Sequence, residues 1–192
     1  MFTMETLFSI ILGIGLSAAC GFRVFVPLLA MSIASLSGHL PLSSGFAWIG
    51  TYPALIAFAT ATVVEVVAYY IPWLDHLLDS IASPAAVVAG TIATASVVTD
   101  VSPLLKWVLA LIAGGGVAGI IQGSTVVLRA KSSAFTAGLG NPLVSTVELV
   151  GSVVTAVLAL LVPFICILLV GGICYYVIRK TGHLFFGKNR IT

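Results

Sequence analysis

The sequence predicts an all-α, polytopic membrane protein of about five to seven helical segments, and three observations predict it. Of the 192 residues, 60% are hydrophobic and only 7% are charged, where a soluble domain averages about 25% charged. The mean hydropathy is +1.22. Apolar tracts of the length that spanning helices need, about 20 residues each, fill the chain and leave short polar links. This composition excludes a water-soluble enzyme, a nucleic-acid-binding domain and a receptor with a large polar head. The net charge of +2 is too small to imply a polyanionic partner. The partner it does imply is the lipid bilayer, and residues 1–192 read as a single integral-membrane domain.

The first tract, residues 6–36, is too long for one simple span and is interrupted by Gly21-Phe22-Arg23 and by Pro27. No Lys or Arg precedes its apolar run, so it lacks the basic start of a signal peptide and reads as a retained helix. The second, residues 47–71, carries one charge, Glu65. The third, residues 81–98, opens with Ser83-Pro84, a favourable start because proline in the first turn forfeits no needed hydrogen bond. The fourth covers residues 103–128, and the fifth, residues 142–178, is divided by Pro163.

The links are an acidic stretch at 72–80, a tight turn at 99–102, and Gly-containing polar loops at 37–46 and 129–141, the latter with Arg129 and Lys131. Residues 179–192 form a basic tail, which the positive-inside rule places in the cytoplasm. If the 129–141 loop is cytoplasmic too, the fifth tract must leave and return, as two short spans or a re-entrant hairpin hinged near Pro163. The first tract invites the same reading around Arg23–Pro27. Interrupted helices survive at membrane depth only where they are buried or line a cavity, and in transporters they mark binding sites. The competing reading is a plain proline kink in a long tilted helix.

Gly115, Gly119 and Gly123 recur every fourth residue, the spacing that lets a second helix backbone approach closely. The second helix belongs either to the same chain or to another copy, so a homo-oligomer is one arrangement the spacing allows. Cys20, Cys166 and Cys174 lie in apolar runs and read as small core residues rather than a disulfide framework or a metal cluster.

Ionisable side chains at membrane depth cost at least about 2.5–3.5 kcal/mol each on insertion scales, which makes them functional candidates with a structural ion pair as the alternative. Arg23 lies deep in the first tract and needs a carboxylate, a cluster of helix-end carbonyls or an anionic ligand. Glu65 lies deep in the second. Asp75 and Asp79 share a face if 72–80 is helical, with His76 beside them. They form either a mouth or hard-cation site or a solvated interfacial helix, with Tyr69, Tyr70 and Trp73 as an aromatic belt. Asn141-Pro142 opens the fifth tract, with Ser145 and Glu148 in its first two turns, at an end that favours anions. Glu148 is a candidate partner for Arg23.

No nucleophile–base pair, phosphate-binding glycine loop, zinc motif or haem motif is present in the sequence, so neither an enzyme nor a cofactor is expected. Whether a metal binds is left open. The functional expectation is a small transporter or channel for an ion or small charged solute. Arg23, Glu65, Glu148, Asn141 and Ser145 would form its central site, with Asp75, His76 and Asp79 at a cytoplasmic mouth. The rival is a non-transporting scaffold that docks a partner on its glycine ridge.

Three motif groups, Gly21-Phe22-Arg23-x3-Pro27, Glu65 with Pro72, Asp75 and Asp79, and Gly138-x-Gly140-Asn141-Pro142-x2-Ser145-x2-Glu148, together carry a resemblance. The chain resembles, over nearly its whole length, a bacterial family of small integral membrane proteins described as a domain of unknown function. The resemblance implies a multi-pass protein of the bacterial inner membrane. It implies no activity and transfers no catalytic residue.

Overall fold

The computed structural model describes residues 3–186, apart from the side chains of 72–77 and 181–186. Helix α1 (Met4–Phe22) is opened by Thr3, whose hydroxyl accepts from the Thr6 N–H. It stops where Arg23 turns extended, and α2 (Phe25–Leu36) starts afresh two residues later. A 3-10 segment (Ser44–Gly50) then meets α3 (Tyr52–Ala68) at a 65° bend. Thr51 caps α3 by accepting from the Ala54 N–H, and Pro53 occupies its first turn. Next come α4 (Pro72–Val97) and α5 (Pro103–Leu109). A π-helical segment (Ala110–Gly115) joins α5 to α6 (Gly116–Thr136), and the three make one rod of 34 residues. Val162 separates α7 (Asn141–Leu161) from α8 (Pro163–Phe186).

Among the described residues there is no strand. The lengths and hydropathies of α1, α4 from Leu78, the α5–α6 rod, α7 and most of α8 fit a multi-pass membrane protein, while α2, with 12 residues, is too short to cross alone. Helix α1 forms the centre and packs on α4, α6, α7 and α8. Leu16, Ala18, Ala19 and Cys20 along it are wholly buried. The outward faces are apolar, as on α7, where Leu143, Val147, Val150, Val154 and Leu161 are exposed and suit a lipid solvent.

Small residues let the helices approach closely, and hydroxyls tie them together. Thr94 on α4 donates to the Gly13 carbonyl of α1 at 3.0 Å, and Ser152 on α7 donates to the Ala19 carbonyl at 2.9 Å. Ser17 donates to the Gly114 carbonyl within the π-helical segment, where the ordinary i→i+4 ladder is interrupted. A Cβ added at Gly90 would stand 2.6 Å from that of Ala118, and one added at Gly15 would stand 2.8 Å from that of Ala159.

These contacts fix direction. Gly13 meets Thr94 while Ser17 faces Gly90, so α1 and α4 are antiparallel. Gly15 meets Ala159 while Gly151 meets Phe22, so α1 and α7 are antiparallel too. The α1–α2, α3–α4 and α6–α7 junctions therefore gather at one end of the bundle.

Several sequence expectations are corrected. Residues 129–136 are the last turns of α6 rather than loop, because an apolar stripe continues through Val126 and Ala130 and no Gly or Pro intervenes until Gly138. Ala137 and Gly138, both at positive φ, make the turn. Ser83-Pro84 does not begin a helix but lies inside α4, which starts at Pro72 and takes in the acidic link. The second tract begins as a bent 3-10 segment rather than as one helix. The breaks at Arg23 and at Pro163 are where the sequence places them.

Candidate functional site

A cluster of buried ionisable side chains lies at the end where those junctions gather. Arg23, in the break after α1, is 1% exposed. Its Nη2 donates to the Ser145 carbonyl at 2.9 Å and to the Ser145 hydroxyl at 2.5 Å. The same nitrogen lies 3.3 Å from Glu148 Oε2. The N-terminal turns of α7 thus receive the guanidinium, and the pairing of Arg23 with Glu148 that opposite sign suggested is present in the structure.

Glu65, in the last turn of α3, has another task. Its Oε1 accepts from the Val24 N–H at 2.8 Å and its Oε2 from the Phe25 N–H at 3.2 Å. The first N–H groups of a helix lack intrahelical partners, and α2 has no cap from its own side chains. Glu65 supplies that cap from a different helix, and its negative charge sits against the positive end of the α2 dipole.

Arg129 is the residue that sequence reasoning assigned to a loop. It is buried on α6, where Nε donates to Glu148 Oε1 at 3.0 Å and Nη2 bonds to Glu148 Oε2, the two-pronged geometry that suits a guanidinium and a carboxylate. Its Nη1 lies 3.5 Å from Asp79 Oδ1. Tyr69, expected in an interfacial belt, is 4% exposed and belongs to the cluster. The Cζ atoms of Arg23 and Arg129 stand 4.0 and 3.9 Å from its ring centroid, within the range of cation–π attraction. Its hydroxyl is 3.4 Å from Asp79 Oδ1. Tyr70 is half exposed and bonds to Thr146 at 2.8 Å.

Of the expected central residues, Arg23, Ser145 and Glu148 meet directly, Glu65 braces the adjoining helix start, and Asn141 stands apart. The Asn141 amide donates to the Ser133 hydroxyl at 2.9 Å and fastens α7 to the end of α6. Asp79 joins the cluster through Arg129 rather than forming a separate mouth. The expectations for Asp75 and His76 lie outside the described side chains. Among the described residues, no three His, Cys, Asp or Glu side chains converge as a metal site.

A signal for Arg129 is present in the sequence. Gln122, Thr125, Arg129 and Ser133 follow helical spacing, as do Asn141, Ser145, Glu148 and Ser152. These stripes meet in the structure at Arg129–Glu148 and Ser133–Asn141, while Ser152 turns to the Ala19 carbonyl of α1. No comparable pattern marks Tyr69.

A cleft of about 300 Å³ reaches the cluster's edge between α4 and α6, lined by Asp79, Ser80, Ser83, Val126 and Ala130. The glycine ridge is turned inward for most of its length. A Cβ at Gly115 would stand 2.6 Å from Thr91 Oγ1 and one at Gly119 would stand 3.3 Å from Val87, both on α4, whereas Gly123 faces open space.

Comparison with curated proteins and with solved structures finds no match. A family described as a domain of unknown function (DUF4126) matches residues 10–182, nearly the full length, and the chain belongs to that family.

Proposed function

We propose that the chain is a small transporter or channel for an ion or small charged solute, in the cytoplasmic membrane of a bacterium. One observation carries the reading. Ionisable groups of alternating sign, Asp79, Arg129, Glu148 and Arg23, lead from the wall of the α4–α6 cleft to the interior beside α1. A single structural ion pair needs one acid and one base. A connected series that begins at a cleft is what stepwise movement of charge requires, and intramembrane charges of this kind mark ion pathways and proton relays.

Cys166 at the start of α8 lies 3.7 Å from the Thr155 carbonyl of α7, so the chain folds back at Val162 and the basic end of α8, with Arg179 and Lys180, heads toward the cluster's end of the bundle. The positive-inside rule then makes that end cytoplasmic, together with Lys131 and the α6–α7 turn. The scaffold reading is favoured less, because Gly114, Gly115 and Gly119 pack against α4 of the same chain and leave only Gly123 of the ridge open.

The test is flux in proteoliposomes with a panel of cations, anions and pH gradients, comparing wild type with Glu148→Gln. Dissipation of one gradient by the wild type, reduced at least tenfold in a folded Glu148→Gln protein, supports transport and names the cargo class. Equal flux in the two proteins would remove the cluster from the pathway.

A further inference from the structure

We propose that α2, the 3-10 segment and α3 form one arm that pivots against the other helices about the Arg23–Tyr69 contact and opens the bundle at the end opposite the buried cluster. The arm is tied within itself at both ends. Near the cluster, the Glu65 carboxylate of α3 accepts from the Val24 and Phe25 N–H groups at the start of α2. At the far end, a Cβ added at Gly50 would stand 3.1 Å from that of Ser35, and the rings of Trp48 and Phe58 lie 6.0 Å apart. Helix α3 packs on α2 and on the 3-10 segment, and its outward face, with Ile56, Val63, Val64 and Val67, is exposed. The remaining helices are tied as a second body by the hydroxyls that join α1 to α4, to the π-helical segment and to α7.

The surface between the two bodies is of another kind. Helix α2 packs on α1, α4 and α7, and its Val26, Leu28 and Met31 are buried. Among the described residues, no side-chain hydrogen bond from α2 crosses to those helices. Apolar contact is non-directional and permits small sliding of one packed helix over another. Buried hydroxyls also distinguish the bodies. Those of Ser17, Thr94 and Ser152 in the bundle each have a partner. Among the described residues, the buried hydroxyls without one are Ser32, Ser43 and Thr62, and all three belong to the arm. A buried polar group left unpaired is costly. Water that reaches these groups supplies the missing partners, which lowers the cost of leaving the closed form.

The two connections between arm and bundle lie side by side. Arg23 is extended (φ −145°, ψ 129°) between α1 and α2, and Ile71 is extended (φ −99°, ψ 109°) between α3 and α4. Residues at element ends absorb the backbone rotation of a hinge. The Arg23 guanidinium stands 4.0 Å from the centre of the Tyr69 ring, two residues before Ile71, so one axis passes through both connections. The contacts of Arg23 with Ser145 and Glu148 hold that axis to α7. The Tyr70–Thr146 bond lies beside it, where a rotation displaces little. With 17 residues at about 1.5 Å each, α3 puts the tip about 25 Å from the axis, so a rotation of about 10° moves the tip about 4 Å. Two contacts latch the tip. The Ser43 N–H donates to the Ser96 carbonyl of α4 at 2.8 Å, and the Phe46 ring lies 6.2 Å from that of Trp107 on α5. Their release separates α2 from α1 and α7 and gives the cluster a second approach, from the opposite end. Taken with the transport reading, on which this last step rests, the cleft and the arm are the two mouths of an alternating pathway.

The test is pulsed electron paramagnetic resonance between nitroxide pairs in lipid, with Cys20, Cys166 and Cys174 replaced by alanine. All label sites are exposed: Gly45 and Val63 on the arm, Met4 and Leu104 on the bundle. Labels at Gly45→Cys and Leu104→Cys should give two distances, about 4 Å or more apart. The pair Gly45→Cys with Val63→Cys, within the arm, and the pair Met4→Cys with Leu104→Cys, within the bundle, should each give one. Phe46→Ala removes half of the ring latch and should at least double the share of the longer arm–bundle distance. A single arm–bundle distance with and without Phe46→Ala, or the same two distances in both control pairs, would overturn the arm. In proteoliposomes, a reducible cross-link between Phe46→Cys and Trp107→Cys should lower flux at least tenfold, and reduction should restore it. Undiminished flux through fully cross-linked protein would overturn the opening as a step of transport. Two arm–bundle distances in a protein that moves no solute would uphold the arm and overturn transport.

Discussion

Glu148 is the residue on which the cluster depends, because it touches both guanidiniums at once. Two cations beside one tyrosine ring repel, and the shared carboxylate offsets that repulsion. Removing one partner of a buried pair leaves the other charge uncompensated, at a cost of about 3–5 kcal/mol. Arg129→Ala should therefore destabilise the detergent-solubilised protein by about that much in thermal or denaturant unfolding. Arg129→Lys keeps the charge but loses the fork and should fall between alanine and wild type. Equal stability of all three proteins would mean that the Arg129–Glu148 contact contributes nothing to the fold. Glu65 and Glu148 were legible in the sequence because a lone Glu in an apolar tract stands out. Arg129 was assigned to a loop because its tract runs on into Ser- and Gly-containing sequence, which masks the polar stripe it belongs to. Burial of Tyr69 depends on two guanidiniums distant in sequence, which no local pattern shows.

At the scale of the helix, breaks and close approaches organise the bundle. The Arg23 break could be read from Gly21 and Pro27, but the helix that follows it is capped from α3, a long-range contact invisible to local rules. Loss of an N-cap side chain costs about 1 kcal/mol. Glu65→Ala should lose about that much stability, or more because the site is buried, and hydrogen exchange should speed up first at Val24 and Phe25. Unchanged protection there would contradict the capping role. The glycine spacing announced close packing but not its partner, since a four-residue repeat reads alike on either side of an interface. A Cβ at Gly114 would collide with Thr94 Oγ1 and stand 2.8 Å from the Gly90 carbonyl, while nothing lies within 4 Å of one at Gly123. Overpacking costs about 1–3 kcal/mol, so Gly114→Leu should destabilise by at least that amount and Gly123→Leu should leave monomer stability unchanged. The reverse order would mean that α4 is not what the ridge packs against.

Across the whole molecule, composition alone assigned the solvent, and tract lengths gave most of the helices. The gathering of the α1–α2, α3–α4 and α6–α7 junctions at one end follows only from the packing of α1 against its antiparallel neighbours α4 and α7. That arrangement brings charges from separate tracts into one buried cluster and sets the cluster beside a cleft. The measurement that tests the transport account most directly is flux in proteoliposomes across the panel of cation, anion and pH gradients, with wild type and Glu148→Gln side by side. The account predicts that the wild type dissipates one of these gradients, and that the folded Glu148→Gln protein dissipates it far more slowly. A folded wild type that is silent across the panel, or a folded variant with equal flux, would contradict it.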